Sequence, residues 1–203
     1  MPARSPSEDT RDRICTIAEG LFRRMGYVKT TIADIAEAAN MSSANVYRFF
    51  TSKSAVNDAI CRRILGELQV EISAISHGPG TASDRIRAMV MAMHRHHKSQ
   101  LTDERRVFDM VSAAMEENWA AIEEHIRFCG AHFIHVVGEG IASGEFGPGD
   151  PVDLGEMVMK SATCVIHPDI IAEQGDKDME PIVERLANFA IRALTNPTPG
   201  RPS

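Results

Sequence analysis

The chain has 203 residues, 43% of them hydrophobic, and a formal net charge of −6. This composition indicates a globular protein with an ordinary buried core, and the acidic total argues against a protein that coats nucleic acid without regard to sequence. No stretch approaches the roughly 18 consecutive apolar residues of a membrane span, and the N-terminus lacks the apolar core of a secretory signal. We therefore expect a cytoplasmic protein without a membrane partner.

The charge is unevenly distributed along the chain. Residues 1–63 hold ten Lys/Arg and seven Asp/Glu, a net charge of +3. Residues 64–203 hold twelve and twenty-one, a net charge of −9. This asymmetry favours a part that binds a polyanion, joined to a part that avoids one, with chance variation as the alternative.

Apolar residues recur with helical spacing from the start of the chain. The spacing predicts a first helix of roughly sixteen residues that ends at Gly26. A short helix then begins after Thr31 and ends at Asn40, a residue that tolerates a left-handed turn. A second short helix, capped by Ser42, is expected to run through Phe50. Two short helices joined by a tight turn are typical of a helix-turn-helix.

Helical spacing continues through the rest of the chain. A long helix is predicted from near Lys53 to about Ile75. Further helical segments are predicted at roughly 82–99, 103–115, 118–143, 152–173 with a break at Pro168, and 179–195. Because no strand-like alternation persists, we expect an all-α fold of about nine helices.

The stretch SSANVYRFFTSK, residues 42–53, has the features that a DNA-reading helix requires. A helix enters the major groove only if small or hydrogen-bonding side chains occupy its exposed face. The expected base-reading residues are Ser43, Ala44, Asn45 and Arg48. The residues expected to hold phosphates are Thr31, Ser42, Tyr47 and Lys53. The alternative is that all of these are ordinary solvated positions on a small helical unit.

The longer run TTIADIAEAANMSSANVYRFFTSK resembles the DNA-binding segment of the tetracycline-repressor (TetR) family of bacterial transcription regulators. The shared positions, in order, are Thr30, Thr31, Ile35, Ala36, Ala39, Asn40, Ser42, Tyr47, Phe49, Phe50, Ser52 and Lys53. Asn40 stands where a turn glycine is usual. Phe49 stands where His or Tyr is commoner, so one phosphate hydrogen bond is expected to be missing. The specific match covers residues 10 to about 60.

This resemblance implies a division of the chain and a function. It implies a flexible tail over 1–9, a three-helix DNA-binding domain with the helix-turn-helix over 10–63, a helical ligand-binding and dimerisation domain over 64–196, and a second tail over 197–203. It implies a regulator that binds double-stranded DNA in a sequence-specific way. Our interpretation is a repressor that a small-molecule effector releases from a palindromic operator, with no cofactor required.

The resemblance also implies a homodimer formed through the last two long helices. Two apolar stripes fit this expectation because one subunit need not bury them alone. They comprise Val158, Ala162, Val165 and Ile166, followed by Ile182, Leu186, Phe189, Ala190 and Ala193. The alternative is that both stripes are buried within the monomer.

An apolar effector cavity is expected between the helices of the second domain, with a histidine as an orienting polar group. Its candidate lining residues are Met89, Met93, His97, Phe108, Met115, Trp119, Ile122 and His125. The alternative is that these side chains fill a dry core.

A metal-responsive protein is the competing hypothesis. His125, Cys129 and His132 follow one another at i, i+4 and i+7, a spacing at which imidazole and thiolate can share a metal such as zinc. His94 and His97 are i, i+3 on another predicted helix. Cys129 also belongs to the apolar stripe Trp119, Ile122, Ile126, Phe133 and Val137, which favours a core position. The four cysteines form no CxxC pair, and no HExxH or GxSxG motif occurs, so we expect reduced thiols and no enzyme activity.

Overall fold

The computed structural model describes residues 5–102 and 119–196, with side chains described for 5–99 and 120–196. Nine α-helices lie in these ranges: α1 Pro6–Met25, α2 Ile32–Ala38, α3 Ser43–Tyr47, α4 Lys53–Ser76, α5 Ala82–Thr102, α6 Trp119–Ala142, α7 Pro151–Ile166, α8 Pro168–Gln174 and α9 Glu180–Thr195. The described ranges contain no strand. The predicted all-α fold is confirmed. The helix predicted at 103–115 lies outside the described residues.

The described residues fall into two compact units. The first contains residues 5–66 and 119–123, and the second contains residues 67–102 and 124–196. The geometric division after Gly66 lies close to the predicted domain boundary at 63/64, whereas residues 119–123 had been assigned to the second domain. The functional boundaries stay a prediction.

The first helix begins earlier than expected, because its N-terminus is capped. Ser5 Oγ accepts a hydrogen bond from the Glu8 amide at 3.2 Å, and the Ser5 amide donates to Glu8 Oε2 at 2.8 Å. This reciprocal pair is a capping box, and Pro6 suits the first helical position. The predicted tail over 1–9 is therefore wrong for residues 6–9, which are helical.

The first unit is held together by a core that α1, α2, α3 and α4 share. Phe22 of α1, Ile35 of α2, Val46 of α3 and Ile60 of α4 are completely or almost completely buried. Phe50 is 2% exposed, although α3 ends at Tyr47 rather than continuing through Phe50 as predicted. The burial of these apolar faces fixes the two short helices, which are too short to be stable alone.

The second unit is built around α5, which packs against α7, α8 and α9. Its core includes Leu68, Met89, Phe133, Val158 and Val183. At Gly155 of α7, a Cβ atom would lie 2.6 Å from the Cα of Ile134, so glycine permits the close crossing of α6 and α7. Ile126 is an exception to the predicted apolar stripe of α6, since its side chain is 46% exposed.

The connections of the second unit follow local rules. The predicted break at Pro168 is present: α7 ends at Ile166, and α8 begins at Pro168 after the capping residue His167. Glu145, in the turn before α7, accepts hydrogen bonds from the amides of Ala82 and Ser83 at 2.7 and 2.8 Å. This carboxylate thus satisfies the first amides of α5.

Among the helices of the described ranges, none is both long and apolar enough to cross a membrane.

Candidate nucleic-acid interface and effector-domain residues

Two short helices joined by a left-handed residue form the expected helix-turn-helix. Asn40, between α2 and α3, has φ 53°. The Met41 amide donates to the Ala36 carbonyl at 2.9 Å, which closes the turn. Ser42 then caps α3, its Oγ accepting from the Asn45 amide at 3.2 Å. The prediction of a left-handed turn at Asn40 is confirmed, because Asn tolerates this conformation better than most residues.

The α3 helix and Arg48, the residue that caps its C-terminus, expose one narrow face. Ala44, Tyr47 and Arg48 are exposed, and they are spaced i, i+3 and i+4. Ser43 and Asn45 are only half-buried, and Val46 points into the core. The structure therefore brings Tyr47, predicted to hold phosphate, onto the same face as Arg48, predicted to read a base. The individual DNA contacts of these residues stay predictions.

The hydroxyl of Thr31 is engaged in the cap of α2. It accepts from the Asp34 amide at 3.2 Å and donates to Asp34 Oδ2 at 2.7 Å. The Thr31 hydroxyl and the Thr31 amide, which donates to Asp34 Oδ2 at 2.8 Å, lower the pKa of the Asp34 carboxyl. Thr31 and Asp34 thus form a capping box, and any phosphate contact by Thr31 would have to coexist with it.

Two arginines of α1 donate hydrogen bonds to backbone carbonyls of the helix-turn-helix. Arg11 Nη1 donates to the Phe49 carbonyl at 2.6 Å, and its guanidinium lies 4.2 Å from the centroid of the Phe50 ring. Arg13 Nη2 reaches the Ala39 carbonyl at 3.5 Å. The C-terminal ends of α2 and α3 are thus both tied to α1. Sequence reasoning missed these contacts, since the partners lie 38 and 26 residues away along the chain.

Lys53 makes contacts that the sequence did not suggest. Its Nζ donates to the carbonyl oxygens of Tyr27 and Val28 at 2.8 and 3.4 Å and lies 4.3 Å from the centroid of the Tyr27 ring. The ammonium group is therefore directed at the turn between α1 and α2. Lys29, beside this turn, is exposed.

The described candidates for the effector cavity are mostly internal. Met89, Met93 and His125 are buried, and His97 and Ile122 are half-buried. Phe108, Met115 and the Trp119 side chain lie outside the described residues. His125 Nδ1 is 3.5 Å from Gln69 Nε2, and its Nε2 is 3.6 Å from Cys129 Sγ. The lining of a cavity by this set stays a prediction.

Two histidines of α5 bond the last carbonyls of α7. His94 Nδ1 donates to the Val165 carbonyl at 2.7 Å, and His97 Nδ1 donates to the Ile166 carbonyl, also at 2.7 Å. The end of a helix leaves such carbonyls without intrahelical partners. Since a carbonyl only accepts, both rings carry the Nδ1 proton, and in a neutral ring Nε2 is then an acceptor. Desolvation lowers the pKa of His97 to about 4, so it is neutral near pH 7.

The histidines and cysteine of the metal hypothesis do not converge. His132 Nδ1 is 2.7 Å from Ser76 Oγ, and its ring packs against Phe128. His125 contacts Cys129 instead, and burial raises the pKa of that thiol to about 12. Over the ranges 5–102 and 119–196, no group of three His, Cys, Asp or Glu side chains is arranged to hold a metal ion.

The two apolar stripes predicted for dimerisation have different surroundings. Val158, Ala162, Val165 and Ile166 of α7 are all buried within the monomer, so their expected role at a subunit surface is wrong. Their face of α7 packs into the core of the second unit. On α9, Ala190 is also buried, but Ile182 and Phe189 are 47% and 69% exposed. On α7 the exposed apolar side chains are Val152 and Met157, at 48% and 49%.

Comparison with known families covers both units. Residues 14–60 match the family described as "Bacterial regulatory proteins, tetR family". Residues 82–187, more than half of the chain, match "Tetracyclin repressor-like, C-terminal domain".

Among curated proteins, the chain is similar to the HTH-type transcriptional repressor KstR2 of Mycobacterium tuberculosis. The two are 26% identical over 161 residues, which cover 76% of this chain and 78% of KstR2. KstR2 of Rhodococcus jostii is 38% identical over 69 residues, which cover 31% of this chain and 34% of that protein.

Solved structures share the fold across nearly the whole chain. A TetR/AcrR-family regulator from Thermobifida fusca has a TM-score of 0.71 at 24% identity, with 93% of this chain and 100% of that one covered. FadR from Bacillus subtilis, solved in complex with stearoyl-CoA, has a TM-score of 0.62 at 16% identity, with 92% and 98% covered. On the family matches over both units, the chain belongs to the tetR family of bacterial regulatory proteins and is a DNA-binding transcription regulator.

Proposed function

We propose that the protein is a homodimeric repressor that binds a two-fold symmetric operator and is released by a small-molecule effector. The observation that carries the proposal is the exposed face formed by Ala44 and Tyr47 of α3 and by its C-capping residue Arg48, on a helix that the core and Arg11 hold in place. A short, rigidly supported helix with a small residue, a hydroxyl and a guanidinium on one face suits major-groove binding. The similarity to the repressors named KstR2 supports repression rather than activation.

Within this proposal, the side chains have separate roles. Arg48 donates two hydrogen bonds to a guanine edge, and Asn45, although half-buried, contacts an adjacent base. Tyr47 donates its hydroxyl proton to a phosphate oxygen. Thr31 and Ser42 position the two helices through their caps, so their contribution to phosphate binding comes from the helix ends that they fix.

The dimer is proposed to form through the exposed face of α9 together with the neighbouring edge of α7. Ile182 and Phe189 follow one another at i, i+7 on α9, and Leu186 between them is half-buried. Met157 supplies an exposed apolar side chain from α7. A surface phenylalanine that is 69% exposed is costly to leave in water, and burial against a second copy removes that cost. Members of this family act typically as dimers, which supports the proposal.

The effector is proposed to bind in the second unit, near Met89, Met93 and His97. Its apolar body would pack on the methionines, and a hydroxyl or N–H of the effector would donate to His97 Nε2. The support for this polarity is that His97 Nδ1 already donates to Ile166, and that the ring is neutral near pH 7. The protein is proposed to have no catalytic activity and to need no cofactor.

A footprinting experiment on the DNA that flanks its own gene tests the DNA-binding part. We expect protection of a palindromic site and an affinity that falls steeply with salt. Ala44→Glu is a suitable variant because Ala44 is exposed on α3, so the added carboxylate would face DNA without disturbing the core. Protection should disappear with Ala44→Glu and persist with Val70→Glu, a change at a residue of α4 that is 73% exposed. Absence of specific protection by the intact dimer would contradict the proposal.

Reciprocal binding measurements test the effector part. A compound that releases the protein from DNA must bind the DNA-free protein more tightly than the DNA-bound protein. Operator DNA should therefore weaken the protein's affinity for the compound by the same factor by which the compound weakens the protein's affinity for the operator. Equal affinity of the compound for free and DNA-bound protein would contradict an effector role. His97→Phe, which removes the acceptor at Nε2, should weaken binding of a hydroxyl-bearing effector by about tenfold.

A further inference from the structure

The C-terminal end of α3 has few backbone hydrogen bonds of its own. The helix is five residues long, and the amides of Phe49 and Phe50, which follow it, both donate to the Val46 carbonyl, at 2.9 and 3.0 Å. The carbonyls at a helix end and in the turn after it have no partner within the helix. The Phe49 carbonyl is one of these, and it comes directly after Arg48, the residue proposed to read a base. A displacement of the backbone at this point therefore moves the Arg48 side chain relative to DNA.

Arg11 of α1 supplies the missing partner. Its Nη1 donates to the Phe49 carbonyl at 2.6 Å, and its guanidinium carbon lies 4.2 Å from the centroid of the Phe50 ring. A hydrogen bond from a charged donor is stronger than a neutral one, and the face of an aromatic ring attracts a cation. Phe50 is only 2% exposed, so the core fixes the ring that the guanidinium contacts. Arg11 thus holds the backbone on the C-terminal side of Arg48.

These contacts engage a cation of the basic first unit with the protein itself. Lys53 shows the same combination, with its Nζ 2.8 Å from the Tyr27 carbonyl and 4.3 Å from the centroid of the Tyr27 ring. Two basic side chains of this unit therefore each bind a backbone carbonyl and an aromatic ring. Because the Arg11 residue is nevertheless exposed, a contact with a DNA phosphate is the alternative that an experiment must separate from a role within the protein.

We infer that Arg11 is a positioning residue for operator recognition: its contacts with the Phe49 carbonyl and the Phe50 ring set the position of Arg48 on DNA, while Arg11 itself contacts no base or phosphate. The inference rests on the proposed role of Arg48 as a base-reading residue. Base reading depends on the alignment of a bidentate side chain with a base edge. A residue that keeps such a side chain aligned therefore contributes to specificity without touching DNA.

Binding of the full-length protein to its footprinted operator, and to a scrambled duplex of the same length, tests the inference. Arg11→Gln removes the charge and the contact of a cation with the Phe50 ring. We expect it to weaken operator binding by about tenfold and to leave binding to the scrambled duplex within about twofold. The salt dependence of operator affinity should stay unchanged. A salt slope reduced by about one, with an equal loss on both duplexes, would identify Arg11 as a phosphate contact and would overturn the inference.

Arg13→Gln is the matched control. It removes the same charge from the same helix two positions away, where Arg13 Nη2 lies 3.5 Å from the Ala39 carbonyl at the end of α2. We expect operator affinity to stay within about threefold of the wild type. Equal losses in Arg13→Gln and Arg11→Gln would show that the charge of α1 matters rather than the bond to Phe49, and would overturn the inference. If Arg11→Gln fails to fold by circular dichroism, Arg11→Lys replaces it, since lysine keeps the charge but lacks the planar guanidinium, and reduced operator affinity with an unchanged salt slope is again expected.

A double-mutant cycle shows whether Arg11 acts through Arg48. Because both residues serve the same base contact, Arg11→Gln should weaken operator binding by less than about twofold when Arg48→Ala is already present. An equal effect of Arg11→Gln in both backgrounds would indicate a general structural role and would overturn the inference. If Arg48→Ala leaves operator binding unchanged, the proposed base reading fails and the inference with it. If Arg48→Ala weakens operator binding and Arg11→Gln does not, the inference alone fails.

Discussion

The Nδ1 atom of His97 lies 2.7 Å from the carbonyl oxygen of Ile166, so a half-buried imidazole of α5 caps the C-terminus of α7. The bond requires only one ring proton, and desolvation opposes a second. The pKa of His97 is accordingly lowered from 6.5 to about 4. The same cause lowers the pKa of His125 to about 4. Both side chains therefore link the stability of the second unit to pH.

The first prediction is a loss of stability on acidification. Unfolded histidines take up a proton near pH 6.5, whereas these two stay neutral in the folded protein down to about pH 4. The unfolded state binds more protons in this interval, so the free energy of unfolding rises with pH between about pH 4 and 6.5. The stability that depends on the two neutral histidines is complete only above about pH 6.5. Each histidine contributes at most about 3 kcal/mol to the decrease between pH 6.5 and 4.

Urea unfolding at several pH values measures this decrease. His97→Gln keeps a donor for the Ile166 carbonyl and removes the titrating group. The free energy of unfolding of this variant should therefore fall less on acidification than that of the wild type. His135→Gln is the control, because the His135 side chain is 38% exposed. If the free energy of unfolding depended on pH in the same way in the wild type and in His97→Gln, His97 would not be a source of the pH dependence.

Local chemistry explains what the sequence predicted well. The left-handed turn at Asn40, the caps at Thr31 and Ser42 and the break at Pro168 depend on residues within a few positions of each other, and the structure contains all of them. Helical periodicity likewise identified the all-α fold, because a helix in a globular protein must bury one side.

Contacts between distant segments could not be predicted in this way. The bonds from His94 and His97 to α7 span 71 and 69 residues, and no periodicity encodes them. The apolar stripe of α7 shows a related ambiguity: Val158 and Ala162 have the pattern of any buried face, and the sequence alone does not say whether the monomer or a second subunit covers it. Phe189 belongs to the same predicted stripe as Ala190, and only the packing of α9 on α5 determines that Ala190 is buried and Phe189 is exposed.

The second prediction concerns Lys53, which was expected to hold phosphate. Because its Nζ is bonded to the Tyr27 and Val28 carbonyls, we expect Lys53→Gln to lower the free energy of unfolding by about 1–3 kcal/mol. It should leave the salt dependence of operator binding nearly unchanged. Lys29→Gln is the matched variant, since Lys29 is exposed beside the same turn. We expect that change to spare stability and to reduce the salt slope by about one if Lys29 neutralises a phosphate. If Lys53→Gln instead reduced the salt dependence of operator affinity without lowering the free energy of unfolding, Lys53 would be a phosphate contact, as the sequence predicted.

The third prediction separates base reading from backbone contact on α3. Arg48→Ala should cost about 1–3 kcal/mol on the best operator and relax the preference at one base pair in each half-site. Tyr47→Phe removes only the hydroxyl and should weaken binding to all sequences alike. Binding to a library of single-base operator variants distinguishes the two outcomes. If both variants lost the same preference, the adjacent exposed positions of Tyr47 and Arg48 would indicate that both read bases.

The fourth prediction tests the proposed dimer surface. Phe189 is 69% exposed on α9, so Phe189→Glu should leave the monomer fold intact while placing a carboxylate, and its symmetry mate, in the subunit contact. We expect the protein to sediment as a monomer at micromolar concentration and to lose at least about 100-fold in affinity for the full operator, because one half-site alone supplies only part of the contacts. Val70 provides the control, being 73% exposed on α4, and Val70→Glu should remain dimeric. A dimeric Phe189→Glu variant with normal operator affinity would place the subunit contact elsewhere.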